Sequence, residues 1–180
     1  DEGEGHLEAL MGRVKVMERL GQVAGALDAL NRVAVIHPSF VPAVAEKAKM
    51  RMRAGDWDAA LETAQGILER DPNNIDALRL HAFYLLGVEG NAAAGRAKIG
   101  QLTDALETLE GRNARLFVSC ARDLARVAGG TSNLLSALGK MLERARGIEP
   151  EDVAVLNEVA YQQQLAGNYA AAVGTYREAA

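Results

Sequence analysis

The sequence predicts an all-α fold, an α-solenoid of antiparallel helix pairs, and three observations carry that prediction. Apolar residues fill 49% of the 180 positions but aromatics only 4%, so the core must be built from Ala, Leu, Val and Met, a composition that favours helices. The landmarks Gly21, Ala26, Val33 and Pro38 return 34 positions later as Gly55, Ala60, Ile67 and Pro72. Gly followed by an N-capping residue recurs at Gly55-Asp56, Gly90-Asn91 and Gly167-Asn168, where a first helix would turn into a second.

The stretch from Gly55-Asp56-Trp57-Asp58-Ala59-Ala60-Leu61 to Asp71-Pro72-Asn73-Asn74 resembles the second half of a tetratricopeptide repeat. That resemblance implies a right-handed superhelix of helix pairs in a single array over residues 1–180, with repeats at about 7–40, 41–74, 75–113, 114–152 and 153–180, the last incomplete. The chain does not begin with Met and stops at Ala180 inside a helical pattern, so a fragment of a longer protein is expected.

Each element has a local reason. Asp56, Asn91, Ser132 and Asn168 stand where a side-chain oxygen can cap a second helix. Pro38, Pro72 and Pro150 end helices, because the residue before a proline is pushed out of the α region and the proline has no N–H. Pro42 lies just inside a helix start, where that donor is not needed. Ala48, Ala82, Ala121 and Ala160 let a partner helix carrying Ala60 or Ala172 approach closely. The units beginning at Ile75 and Ala114 are each about five residues over the standard repeat. In the first, the excess is expected in the second helix, Asn91 to about Leu109; in the second, in an enlarged turn at Ala128-Gly129-Gly130-Thr131-Ser132. Each pair alone leaves apolar surface uncovered, and stacking on the next pair buries it.

A more specific likeness rests on His37-Pro38-Ser39-Phe40-Val41-Pro42-Ala43, Asp56-Trp57-Asp58, Ala77-Leu78-Arg79, Asn113-Ala114-Arg115-Leu116-Phe117 and Leu142-Glu143-Arg144-Ala145, together with the two overlong units in that order. From about Val33 onward the chain resembles the large tetratricopeptide subunit of intraflagellar transport complex A, with a composition like that of an algal member. The resemblance implies a scaffold that works in retrograde ciliary transport and ciliary membrane-protein import. It further implies other subunits of that complex as partners, and a place in the cytoplasm, the cilium or flagellum and its base. The rival reading is a free-standing tetratricopeptide adaptor for short acidic peptides or helices.

Composition and motifs exclude several other classes. With 20 Lys and Arg against 24 Asp and Glu, the net charge of -4 offers nucleic acid or an anionic membrane no general attraction. No apolar run approaches the roughly 18 residues of a membrane span, and the acidic start with Glu2 and Glu4 is not a signal peptide. A single cysteine, Cys120, suits a reducing compartment and reads as a small buried side chain rather than a nucleophile. His6, His37 and His81 have no i, i+4 spacing, and there is no CxxC, so no metal site or cofactor is expected. His81 reads as a partly buried packing residue. The Gly87–Gly95 stretch lacks the Gly-Lys-Ser/Thr ending that holds phosphate. No catalytic residue is assigned, and the chain is read as a non-enzyme.

In the tetratricopeptide family the first helix of each pair lines a concave groove. Carrying over its groove-facing positions places Lys15, Arg19, Lys49, Arg53, Arg79, Arg115, Arg122 and Arg126 on that wall. Eight cations on one wall of an acidic chain suit an acidic partner segment or helix. The alternative is an ordinary solvated face. The basic signature that some family members use for a peptide's terminal carboxylate is absent, with Met11, Ala45, Val118 and Asn157 where Arg79 alone is basic.

Overall fold

The computed structural model describes residues 6–37 and 40–180 and contains ten α-helices, with no strand among the described residues. They form two compact units, residues 1–72 and 73–180. Glu2, Glu4, Pro38 and Ser39, which figure in the sequence reading, lie outside the described residues.

The first unit holds α1 (Leu7–Arg19), α2 (Val23–Ile36), α3 (Val41–Arg53) and α4 (Trp57–Leu68). Turns this short force the helices of each pair to run antiparallel. Leu10 and Val14 of α1, Ala26, Ala29, Leu30 and Val33 of α2, and Ala43 and Met50 of α3 make one buried cluster, edged by Leu27 and Phe40. Their spacing of three and four is the apolar stripe of an amphipathic helix. Pro42 sits in the first turn of α3.

Both turns inside these pairs close in the same way. Gly21 and Gly55 take φ of 71° and 82°, a left-handed conformation open to Gly without a Cβ penalty. Gln22 N–H then donates to Met17 O at 2.9 Å and Asp56 N–H to Arg51 O at 2.9 Å, satisfying carbonyls that the helix end leaves free. The residue that completes this motif is also the N-cap of the next helix.

The second unit holds α5 (Ile75–Gly87), α6 (Ala92–Glu110), α7 (Ala114–Ala128), α8 (Ser132–Ile148), α9 (Val153–Leu165) and α10 (Tyr169–Glu178). Here α5 packs on α6, α7 on α8 and α9 on α10, and the first helices α5, α7 and α9 pack in succession. Ala82, Ala121 and Ala160 are fully buried in the first helices, as is Ala48 in the first unit. In α6 the close approach falls at Gly95, where an added Cβ would collide with Leu86 of α5.

Two local expectations need correction. The excess of the unit from Ile75 lies in α6, which has 19 residues, but the turn at Gly129-Gly130 is not enlarged. It spans residues 129–131, as short as the turn at 54–56, while α7 and α8 grow to 15 and 17 residues. Gly129 makes this possible with φ 54° and ψ −140°, which reverses the chain at once. Side-chain capping also falls mostly on other residues. Of the four predicted caps only Asn91 accepts a backbone N–H, from Ala94. Asp56 and Asn168 occupy N-cap positions without a side-chain bond, with ψ of 69° and 59°, and Ser132 is already the first residue of α8. The first helices of the second unit are the ones capped, by Asn74, Asn113 and Asp152.

Candidate partner-binding surface

Helical spacing fixes the local geometry of the eight cations. Lys15 and Arg19 on α1, Lys49 and Arg53 on α3, and Arg122 and Arg126 on α7 are each four apart and share a helix face. Arg115 extends the α7 stripe two turns toward its N-terminus. Their surroundings divide them into two groups.

Four have carboxylate partners. In the first unit Arg53 pairs with Glu18 on α1, and Lys49 with Glu46 at 3.3 Å. In the second, Arg79 donates to Asp76 at 2.9 Å and reaches Asp123 of α7 at 3.6 Å. Arg122 Nε donates to Glu158 of α9 at 2.9 Å. The Glu158 side chain is only 4% exposed, whereas Arg122 is 43% exposed, so the carboxylate is buried while its partner still meets solvent. Three of the pairs, Arg53–Glu18, Arg79–Asp123 and Arg122–Glu158, join the first helix of one pair to that of the next. Their first effect is to hold neighbouring pairs together.

The other four, Lys15, Arg19, Arg115 and Arg126, are exposed and make no ion pair among the described residues. They sit as one couple on α1 and one on α7, and each couple keeps its charge available to a partner.

Cys120 is fully buried on α7, and burial pushes its thiol up to about 11 although Arg79 beside it pulls the other way. A thiol in that state is not an activated nucleophile. His81 is held below its ordinary value, first by burial and then by Lys98, with Glu89 opposing. Among the described residues no group of three or more His, Cys, Asp or Glu could hold a metal ion, and no helix is long and apolar enough to cross a membrane.

Sequence reasoning missed two buried polar residues on α9, Glu158 and Gln162. A signal was present for Gln162, which follows Val155 and Val159 on the i, i+4, i+7 stripe of an inward face. Gln162 forms part of the wall of a cleft between α8 and α9.

Comparison with known proteins supplies the family. The model of the tetratricopeptide repeat protein 21 N-terminal ARM repeat matches residues 1–61, and that of the second ARM domain of the same family matches residues 97–180. Human tetratricopeptide repeat protein 21B is 33% identical over 171 residues, 95% of this chain, and mouse tetratricopeptide repeat protein 21A is 33% identical over 152 residues, 84% of this chain. The chain spans only 13% and 12% of the length of those relatives. Among solved structures, yeast Tom70 superposes with a TM-score of 0.71 over 97% of this chain and 36% of its own, at 14% identity. A thermophilic tetratricopeptide protein of Thermus thermophilus gives 0.67 over 97% and 90%, at 17% identity. At such identities these two attest the fold, a tetratricopeptide solenoid of helix pairs. Two models of one family that together match most of the sequence, with relatives a third identical, establish that the chain belongs to the tetratricopeptide repeat protein 21 family.

Proposed function

We propose that the chain is a scaffold segment of intraflagellar transport complex A, serving retrograde ciliary transport and the import of membrane proteins into the cilium. Its partners are the other subunits of that complex, met in the cytoplasm, at the ciliary base and in the cilium. Membership of the tetratricopeptide repeat protein 21 family is the observation that carries this reading. A stack of helix pairs offers long continuous surfaces to partners.

Within that role the four cations of each unit, Lys15, Arg19, Lys49 and Arg53 in the first and Arg79, Arg115, Arg122 and Arg126 in the second, offer a wall for an acidic segment or helix of a neighbouring subunit. The exposed couples Lys15 with Arg19 and Arg115 with Arg126 do the attracting. Arg53, Arg79 and Arg122 set the wall's shape through their inter-helix pairs. Exposed charges of this kind govern encounter rate and salt sensitivity more than complex lifetime.

The test is a tagged full-length protein carrying this segment, expressed in a ciliated cell. Co-purification with the complex subunits and concentration at the ciliary base are expected. Purification without any of those subunits would overturn the proposal.

A further inference from the structure

The first helices α5, α7 and α9 pack in succession, and the residues that follow their buried alanines Ala82, Ala121 and Ala160 are Phe83, Arg122 and Tyr161. One turn further along stand Gly87, Arg126 and Leu165. We infer, building on the acidic-partner reading above, that this face of the second unit binds an α-helix laid across the three first helices. Its carboxylates meet Arg122 and Arg126, and an apolar residue one heptad to either side meets α5 and α9.

The contacts of α7 locate the face. Asp123 and Val127 turn toward α5: Asp123 pairs with Arg79 at 3.6 Å, and a Cβ on Gly87 would meet Val127 Cγ1 at 3.4 Å and Phe83 Cε1 at 3.5 Å. Arg122 reaches the other way, its Nε donating to Glu158 of α9 at 2.9 Å. That bond fixes the guanidinium through Nε and leaves its two terminal nitrogens, on a side chain 43% exposed, for an incoming carboxylate. Arg126, four residues on, shares the face, is exposed, and makes no ion pair among the described residues. Asp76 and Asp123 are committed to Arg79 and Glu158 to Arg122, so Arg126 carries the charge that draws an acid.

The spacing selects a helix. Both flanks of the arginines are apolar, with Phe83 and Val127 on one side and Tyr161 and Leu165 on the other, all half-buried. Packed helices stand about 8–10 Å apart. A heptad of α-helix advances about 10.5 Å and returns to nearly the same face, so one side of a partner helix sets an apolar residue, an acid and an apolar residue over α5, α7 and α9 in turn. Three residues of extended chain also cover about 10 Å, but a step of three reverses the side-chain direction. A strand with apolar residues on α5 and α9 would therefore turn its acid away from α7.

The test is fluorescence anisotropy of labelled helical peptides, built on Ala and Gln, with the 180-residue chain. One peptide carries Leu, a Glu-Glu pair and Leu at heptad intervals. A second has the Glu pair moved two places, round to the far side of the helix, and a third has a central Pro that breaks the helix. The first should bind about tenfold or more tighter than the other two. Arg126→Glu should weaken its binding by about tenfold or more, most at low salt, and Leu165→Ser should weaken it at every salt concentration, with helical content unchanged in both. No binding, equal binding of the three peptides, or undiminished binding by either variant would overturn the inference. So would a chain that ignores the helices but sediments with phosphatidylserine vesicles. The scaffold reading falls on co-purification instead, so complex subunits that co-purify with the full-length protein while the peptides fail to bind would overturn this inference alone.

Discussion

Replacing Arg122 by Ala should destabilise the second unit far more than replacing Arg146, although both arginines pair with a glutamate at 2.9 Å. The difference lies in the partners. Glu158 is 4% exposed and its second oxygen has no partner among the described residues, whereas Glu178 is 56% exposed. Losing Arg122 therefore strands a buried carboxylate, and losing Arg146 returns one to water. Breaking a fully buried pair costs about 3–5 kcal/mol. Arg122 itself is 43% exposed, so the lower figure for a hydrogen bond to a charged group, about 1.5–3 kcal/mol, applies here. The exposed Arg146–Glu178 pair should contribute at most about 1 kcal/mol. Replacing Arg122 and Glu158 together by Leu should recover most of the loss, because no charge is then left buried. The assay is urea unfolding followed by far-UV circular dichroism; the single tryptophan, Trp57, lies in the first unit and does not report on α7 or α9. A loss below about 0.5 kcal/mol for Arg122→Ala, or one equal to that of Arg146→Ala, would refute the reasoning.

Ala60→Leu overpacks a contact that leaves Ala60 only 3% exposed and should cost about 1–3 kcal/mol by the same assay. His81 is depressed in the fold, so below its ordinary value of 6.5 the unfolded chain takes up a proton that the folded chain refuses. Stability should thus fall as pH drops through 6.5 and level off once His81 protonates in the fold; a stability–pH curve for His81→Gln should lack that component. Cys120, with its thiol pushed up to about 11, should react with a disulfide reagent near pH 8 only as fast as the chain opens, and that rate should rise with urea.

The helix pairs were legible because their signals are local: the 34-residue recurrence, the turn glycines Gly21, Gly55 and Gly167, and the buried alanines. The turn at Gly129-Gly130 was misread because paired glycines suggest a loose loop. Here Gly129 instead permits a tight reversal that lengthens the flanking helices. Capping was misplaced at Asp56 and Asn168, whose side chains make no cap although Asn91, which follows a turn of the same kind, accepts from Ala94. The caps at Asn74, Asn113 and Asp152 stand instead at the starts of first helices.

The cations could be placed on helix faces from sequence, but their partners could not. Glu18 and Arg53, like Arg122 and Glu158, are about one repeat apart, 35 and 36 residues, and meet only when consecutive pairs stack. A substitution of Arg53 or Arg122 would therefore confound charge with stability. The exposed couples are the informative targets.

The central claim, a scaffold whose exposed cations draw in an acidic segment of a neighbouring subunit, is tested most directly by association kinetics of the full-length protein with the other complex subunits over a salt series. The variant carries Glu at Lys15, Arg19, Arg115 and Arg126 together, none of which makes an ion pair among the described residues. Its association rate should fall about tenfold or more at low salt and converge on the unaltered protein's at high salt, with helical content and melting unchanged. An association rate equal to that of the unaltered protein at every salt concentration would contradict the claim and leave these residues an ordinary solvated face.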